Sequence, residues 1–135
     1  MNVYVDSSSL LKWLLNGFEL PRLKEWRAAC SSELIVNDVY RTLFRLRLEG
    51  KLTDAQLVAK QQDALEFIDG IFLMQLNRAV IEKGREPFGT FIATLDALHL
   101  ASAILWKSEV DAEVYILSHD DQLQNAARLN GLTLL

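Results

Sequence analysis

Cysteine occurs once in this chain, at Cys30, so no internal disulfide can staple it. Together with an N-terminus, Met1-Asn2-Val3-Tyr4-Val5-Asp6, that has neither a basic stretch nor an apolar core, this leads to the expectation of a mature start and a cytoplasmic protein. No apolar run is long enough to span a bilayer, so no membrane association is expected. Positive charge is not in excess. The formal net charge is −4, which speaks against a protein that coats nucleic acid through a basic surface. It leaves room for an enzyme that gathers carboxylates around cations. Proline occurs twice and glycine six times, so there is little material for a linker or a low-complexity segment. What the sequence does have is apolar residues, half of the total, in a length of 135 residues that suits one domain with its own core, residues 1–135.

Periodicity organises the chain into alternating strands and helices. Asn2 to Val5 reads as a strand. Ser7-Ser8-Ser9 offers capping hydroxyls to a helix with Leu10, Leu11, Trp13, Leu14 and Leu15 at helical spacing, closed by Asn16-Gly17. Pro21 suits the first turn of a second helix, Arg22 to Ala29, followed by a short extended piece near Ser31-Ser32-Glu33. Leu34 to Glu49 reads as a long helix stopped by Gly50. Thr53-Asp54-Ala55-Gln56 is a capping-box pattern opening a helix to about Asp69. Then come a strand, Ile71 to Met74, a helix near Leu76 to Lys83, a loose stretch from Gly84 to Gly89, and an apolar helix, Leu95 to Lys107. A strand from Glu113 to Leu117, a helix from Asp120 to Leu129 and a last strand from Leu132 to Leu135 complete the order. Strands separated by helices predict an α/β fold with a parallel sheet covered on both faces.

Four aspartates fall where such a fold binds ligands. Asp6 ends the first strand and Asp120 lies just beyond the strand Glu113 to Leu117; carboxyl ends of strands form the ligand crevice of open α/β sheets. Asp96 is in the first turn of its helix, and Asp38 sits in the long helix between Val36 and Val39. Clustered aspartates are the donor set that Mg²⁺ or Mn²⁺ prefers, and such ions activate water and neutralise charge at a phosphate. Taken singly, each has a structural alternative. Asp6 can serve a turn, Asp96 and Asp120 can complement helix dipoles, and Asp121 has the capping-box offset from Ser118.

The residues around these acids resemble the PIN-domain family, in particular its VapC-type toxins. Val5-Asp6-Ser7-Ser8-Ser9-Leu10-Leu11 is similar to that family's opening motif, and Leu34-Ile35-Val36-Asn37-Asp38-Val39-Tyr40-Arg41 to its second. Leu95-Asp96-Ala97-Leu98-His99-Leu100-Ala101-Ser102-Ala103 resembles the third and is the most specific. Leu117-Ser118-His119-Asp120-Asp121-Gln122-Leu123, with Ala126-Ala127 and Gly131 after it, resembles the fourth. The second acid of this family is usually glutamate, and here it is Asp38, one methylene shorter; threonine usually stands where Ser118 does. The resemblance implies a PIN-like three-layer fold, a central parallel sheet flanked by helices. It implies an endoribonuclease using Mg²⁺ or Mn²⁺, with Asp6, Asp38, Asp96 and Asp120 as metal-binding catalytic residues, a metal-activated water attacking RNA, and an antitoxin partner.

Around that set, Ser7 and Ser118 are candidates to bond metal waters or phosphate oxygens. Arg41, one turn from Asp38, is a candidate to orient that carboxylate or, with Arg45, to grip phosphates. His99 and Cys30 read as packed structural residues. Trp13, Tyr40 and Phe44 widen the apolar surface beyond one core face, which leads to the expectation of a homodimer or an antitoxin on that surface. Two other readings compete with a ribonuclease: a PIN-like binding protein with an impaired site, and a metal-dependent phosphatase of another α/β family. The haloacid-dehalogenase type of phosphatase needs an acid where Ser8 stands. A receiver module would need paired acids near the first strand and a lysine after a late one, and neither is present.

Overall fold

A computed structural model describes residues 1–135. Its centre is a five-stranded, wholly parallel sheet in the order β3-β2-β1-β4-β5, built from β1 (Asn2–Val5), β2 (Ala28–Ser32), β3 (Phe72–Met74), β4 (Val114–Leu117) and β5 (Thr133–Leu134). The helices are α1 (Ser7–Asn16), α2 (Leu34–Leu48), α3 (Asp54–Asp69), α4 (Arg78–Lys83), α5 (Thr94–Val110) and α6 (Asp121–Leu129).

Strand alternation sends neighbouring residues to opposite faces, and the two cores follow it. Val3, Val5 and Leu117 pack with Leu10 and Leu14 of α1, Ile35, Val39 and Leu43 of α2, and Ala64 and Ile68 of α3. Tyr4, Cys30 and Ile116 face the other way, against Val80 of α4, Leu100, Ala103 and Trp106 of α5, and Leu123 and Ala126 of α6. The result is the three-layer α/β arrangement that the alternating pattern implies. From β1 the chain steps outward through β2 to β3, then returns to place β4 on the free side of β1. The strand order reverses between β1 and β4, and the carboxyl ends of strands at such a reversal are where open α/β sheets bind ligands.

Most element boundaries agree with the pattern. Thr53 and Gln56 close both halves of the capping box that starts α3. Gly17 (φ 64°) and Gly50 (φ 75°) take left-handed conformations that no side chain hinders only in glycine. The expected helix from Arg22 to Ala29 is absent. Only a 3₁₀ turn, Leu23–Glu25, forms there, and Ala28 onward is strand β2, in register with Asn2, Val3 and Tyr4 of β1. Backbone pairing with β1, begun where the Arg27 N–H donates to the Met1 carbonyl, outweighs the helical preference of two alanines. At α1 the cap is Asp6 rather than one of the serines after it: its side chain accepts from the Ser8 N–H. At α6 the cap is Asp120, whose Oδ1 accepts from the Leu123 N–H at 2.8 Å; the expected Ser118–Asp121 box does not form.

Candidate active site

The site is built outward from Asp6. Its backbone N–H donates to the Leu117 carbonyl at 2.9 Å, tying the end of β1 to the end of β4. Its side chain is 3% exposed, and Oδ2 accepts from Ser8 Oγ at 2.5 Å, from Ser118 Oγ at 2.9 Å and from the Ser8 N–H at 3.4 Å. Ser118 Oγ in turn accepts from the Asp120 N–H at 3.1 Å, and Ser8 Oγ from the His119 N–H at 2.9 Å. Two serines thus clamp one oxygen of Asp6 and, through the same hydroxyls, fix the loop that carries Asp120. Oδ1 of Asp6 has no protein partner, and no buried side-chain oxygen in the chain lacks one, so Oδ1 is the edge Asp6 shows to solvent.

Asp38 is held from the other direction. It lies near the start of α2, where the chain leaves β2, and its Oδ2 meets His99 Nε2 of α5 at 2.8 Å. His99 is 1% exposed, and its Nδ1 lies 3.1 Å from the hydroxyl of Tyr4, itself fully buried in β1. An ionised carboxylate only accepts, so Nε2–H donates to Asp38, and in the neutral ring Nδ1 then accepts from the Tyr4 O–H. The chain Tyr4–His99–Asp38 reaches from the interior to the crevice and leaves Oδ1 of Asp38 without a protein partner. Replacing His99 with alanine therefore strands two polar groups and opens a cavity. Urea unfolding should show a loss of about 3 kcal/mol or more; a loss under about 1 kcal/mol would refute the pairing.

Asp96, in the first turn of α5, makes no side-chain hydrogen bond and is half-buried. Burial pushes its carboxyl above the ordinary carboxylate value, and the negative charges of Asp120, Asp6 and Asp38 push it further, with His99 opposing. Asp120 keeps Oδ2 free while Oδ1 caps α6. The four acids therefore converge electrostatically, and each retains an oxygen that the protein does not bond. As the side chains lie, no three His, Cys, Asp or Glu groups stand arranged to hold a cation. By chemistry the donors nonetheless fit a hard divalent ion: all are carboxylate oxygens, and their mutual repulsion is what a cation relieves.

Of the other sequence candidates, Ser118 belongs to the site and Ser7 does not join it. Ser8, two positions beyond the cap, has the hydroxyl that reaches Asp6, because an N-cap side chain folds back over the second helical position. Arg41 is exposed and makes no ion pair; the group that orients Asp38 is His99, which comes from a helix 61 positions away and gave only a weak sequence signal. Arg41 and Arg45 instead line a groove of about 400 Å³ with Thr42, Phe44 and Leu48 on the outer face of α2. Glu33, near Asp38 in sequence, is engaged elsewhere, accepting from the Leu76 N–H at 2.7 Å. Burial pushes the Cys30 thiol up to about 12, so it is an inert packed side chain. His119, between Ser118 and Asp120, was not singled out by the sequence. Burial and the nearby Lys12 hold its imidazole below the ordinary value, against Asp6, which raises it.

No protein-family profile matches the chain. Among characterised proteins it is similar to "Ribonuclease VapC47" of Mycobacterium tuberculosis, 28% identical over 129 residues, which spans 96% of this chain and 92% of that one. Among solved structures it resembles a chain of VapBC2 from Rickettsia felis, crystallised with a DNA fragment from the promoter. That likeness covers all of this chain and 98% of the other with a TM-score of 0.65, at 12% identity, and so speaks for the fold. A parallel sheet in this order, four aspartates in the order of the motifs, and a VapC ribonuclease similar over nearly the whole length point the same way: the chain is similar in sequence to a VapC ribonuclease and in fold to a VapBC chain.

Proposed function

We propose that this protein is an endoribonuclease, the toxin of a toxin–antitoxin pair, and that Asp6, Asp38, Asp96 and Asp120 are its catalytic centre. The observation that carries this reading is the serine clamp on Asp6. A carboxylate that caps α1 and is held by two hydroxyls on one oxygen, with its other oxygen open toward solvent, keeps a fixed donor free for something outside the fold. The four carboxylates would hold Mg²⁺ or Mn²⁺, which when bound supplies Lewis acidity toward the phosphodiester and its attacking water. The chain's own residues set the geometry. Ser8 and Ser118 fix Asp6, His99 fixes Asp38, and the cap of α6 fixes Asp120, so the free oxygens enter the site with little rotamer freedom left to lose.

The partner reading rests on the surface. Phe44 and Leu48 of α2 stand 41% and 87% exposed, next to the arginine-lined groove, whereas Trp13 is covered on one side by Phe67, ring centroids 5.7 Å apart. An exposed apolar strip of this kind fits an antitoxin segment or a second copy of the chain. No helix is long and apolar enough to cross a membrane.

Two measurements test the proposal together. The purified protein should cut single-stranded RNA with Mg²⁺ or Mn²⁺ and stop with EDTA. Its melting temperature should rise as Mg²⁺ is titrated in, by about 2.7 kcal/mol of added stability at a hundredfold excess over the dissociation constant. Full cleavage in chelator would overturn the metal assignment. A melting shift without cleavage would favour a PIN-like binding protein with an impaired site, a reading that the shortened acid at Asp38 keeps open.

A further inference from the structure

Four carboxylates in one crevice repel the phosphates of RNA, so a ribonuclease of this design needs attraction close by. Several basic side chains are spent on acids of their own: Arg45 and Lys51 on Glu49, Arg47 on Asp54, Arg78 on Glu82, Lys83 on Glu86. Lys12 of α1 has no such partner. It lies exposed with its Nζ 6.0 Å from the ring centre of Phe18. Phe18 follows the left-handed Gly17 that ends α1, is 37% exposed and belongs to neither core. Its ring stands edge-on to His119, centroids 4.6 Å apart at 86°. His119 is not loose: Ser9 Oγ meets its Nδ1 at 2.8 Å, and its backbone N–H donates to Ser8 Oγ, the hydroxyl that clamps Asp6. Its Nε2 has no protein partner.

We propose that Lys12, Phe18 and His119 form a subsite for one nucleotide of the single-stranded substrate flanking the scissile phosphate. The base packs on the Phe18 and His119 rings, and the neighbouring phosphate lies against the Lys12 ammonium. The inference rests on the ribonuclease reading above and gives its site a binding wall. Aromatic side chains receive unpaired bases of any identity, so the subsite favours single strands over duplex without reading a particular base. The serine link matters because it fixes this wall to the same hydroxyl that fixes Asp6, holding the bound strand in register with the acids.

The test uses the full chain and a fluorescein-labelled single-stranded oligoribonucleotide. Phe18→Leu and Lys12→Met should each raise KM about tenfold with kcat changed less than about twofold. Both should melt with the wild type, since both positions are exposed. Phe18→Trp and Lys12→Arg should restore KM, which a merely structural role would not predict. Anisotropy of the same oligonucleotide on the Asp96→Asn protein, which does not consume it, should show the matching loss of affinity when Phe18→Leu is added. Wild-type cleavage with KM and anisotropy unmoved by either variant would overturn the subsite and leave the ribonuclease reading intact. Absence of wild-type cleavage with affinity still lost in Phe18→Leu would overturn that reading and keep the subsite. If the variants change sedimentation and leave RNA affinity unchanged, the face is a protein interface and the proposal fails.

Discussion

Asp96→Asn should abolish RNA cleavage and at the same time raise the melting temperature at pH 7. The two effects have one cause. Asp96 sits half-buried, bonded to nothing, with its carboxyl raised first by burial and then by Asp120, Asp6 and Asp38. A carboxyl whose folded value lies above its unfolded value binds its proton more tightly in the fold. Its ionised form therefore destabilises the folded state, and that penalty is complete at neutral pH. It fades as pH falls through the raised folded value toward the ordinary one, where both states become protonated. Asparagine keeps the shape and drops the charge, so the variant gains a few degrees at most at pH 7, the modest size reflecting a partly solvated group. The gain should vanish in melts near pH 3. Cleavage should fall by more than about a hundredfold, the upper end for residues one shell further from a metal. Added Mg²⁺ should stabilise the wild type and do much less for the variant. An Asp96→Asn protein that melts lower than the wild type at pH 7, or that cleaves normally, would break the link between strain and function drawn here.

How far the sequence led differs between fold and site, for physical reasons. Local signals carried what local physics decides. Thr53 and Gln56 announce the start of α3 because their hydrogen bonds lie within one turn, and the Asp6 and Asp120 positions follow from where apolar strand patterns stop. Strand β2 was legible only at its end, as the extended piece near Ser31-Ser32; its start was hidden because Ala28-Ala29-Cys30 has neither alternation nor β-branched residues, and it is set by the register with β1 and β3, which only the assembled sheet supplies. The same split runs through the site. The acids were legible as a set, while the groups that hold them were not. Asp38 is bound by a histidine 61 positions away, that histidine meets a tyrosine 95 positions away, and Asp6 shares Ser118 across 112 positions. His99 inside an apolar helix looked like packing. It does pack, and what it packs against is the acid whose length departs from the family's usual glutamate.

The α6 end of the site carries the other large effect, because Asp120 performs two jobs that substitutions can separate. Its Oδ1 accepts from the Leu123 N–H and caps α6, while Oδ2 is free to face the other acids. Asparagine caps a helix about as well as aspartate, and serine does nearly so. Neither offers a carboxylate. Asp120→Asn and Asp120→Ser should both keep a wild-type melting temperature, or exceed it slightly because Asp96 loses its strongest charged neighbour, and both should lose cleavage by more than about a hundredfold. Asp120→Ala should lose cleavage to the same extent and about 1 kcal/mol of stability as well, the scale of one missing cap. Asp121 is the control. It is exposed, its side chain bonds to nothing, and Ser118 is already engaged with Asp6, so the capping-box offset between them has no structural content. Asp121→Asn should keep cleavage within about twofold and cost no more than the few tenths of a kcal/mol by which an acidic first turn favours a helix. Cleavage assays beside thermal melts on the four proteins decide the matter. An active Asp120→Asn or an inactive Asp121→Asn would move the fourth acid to the neighbouring residue, and an Asp120→Ala that melts like the wild type would remove the cap.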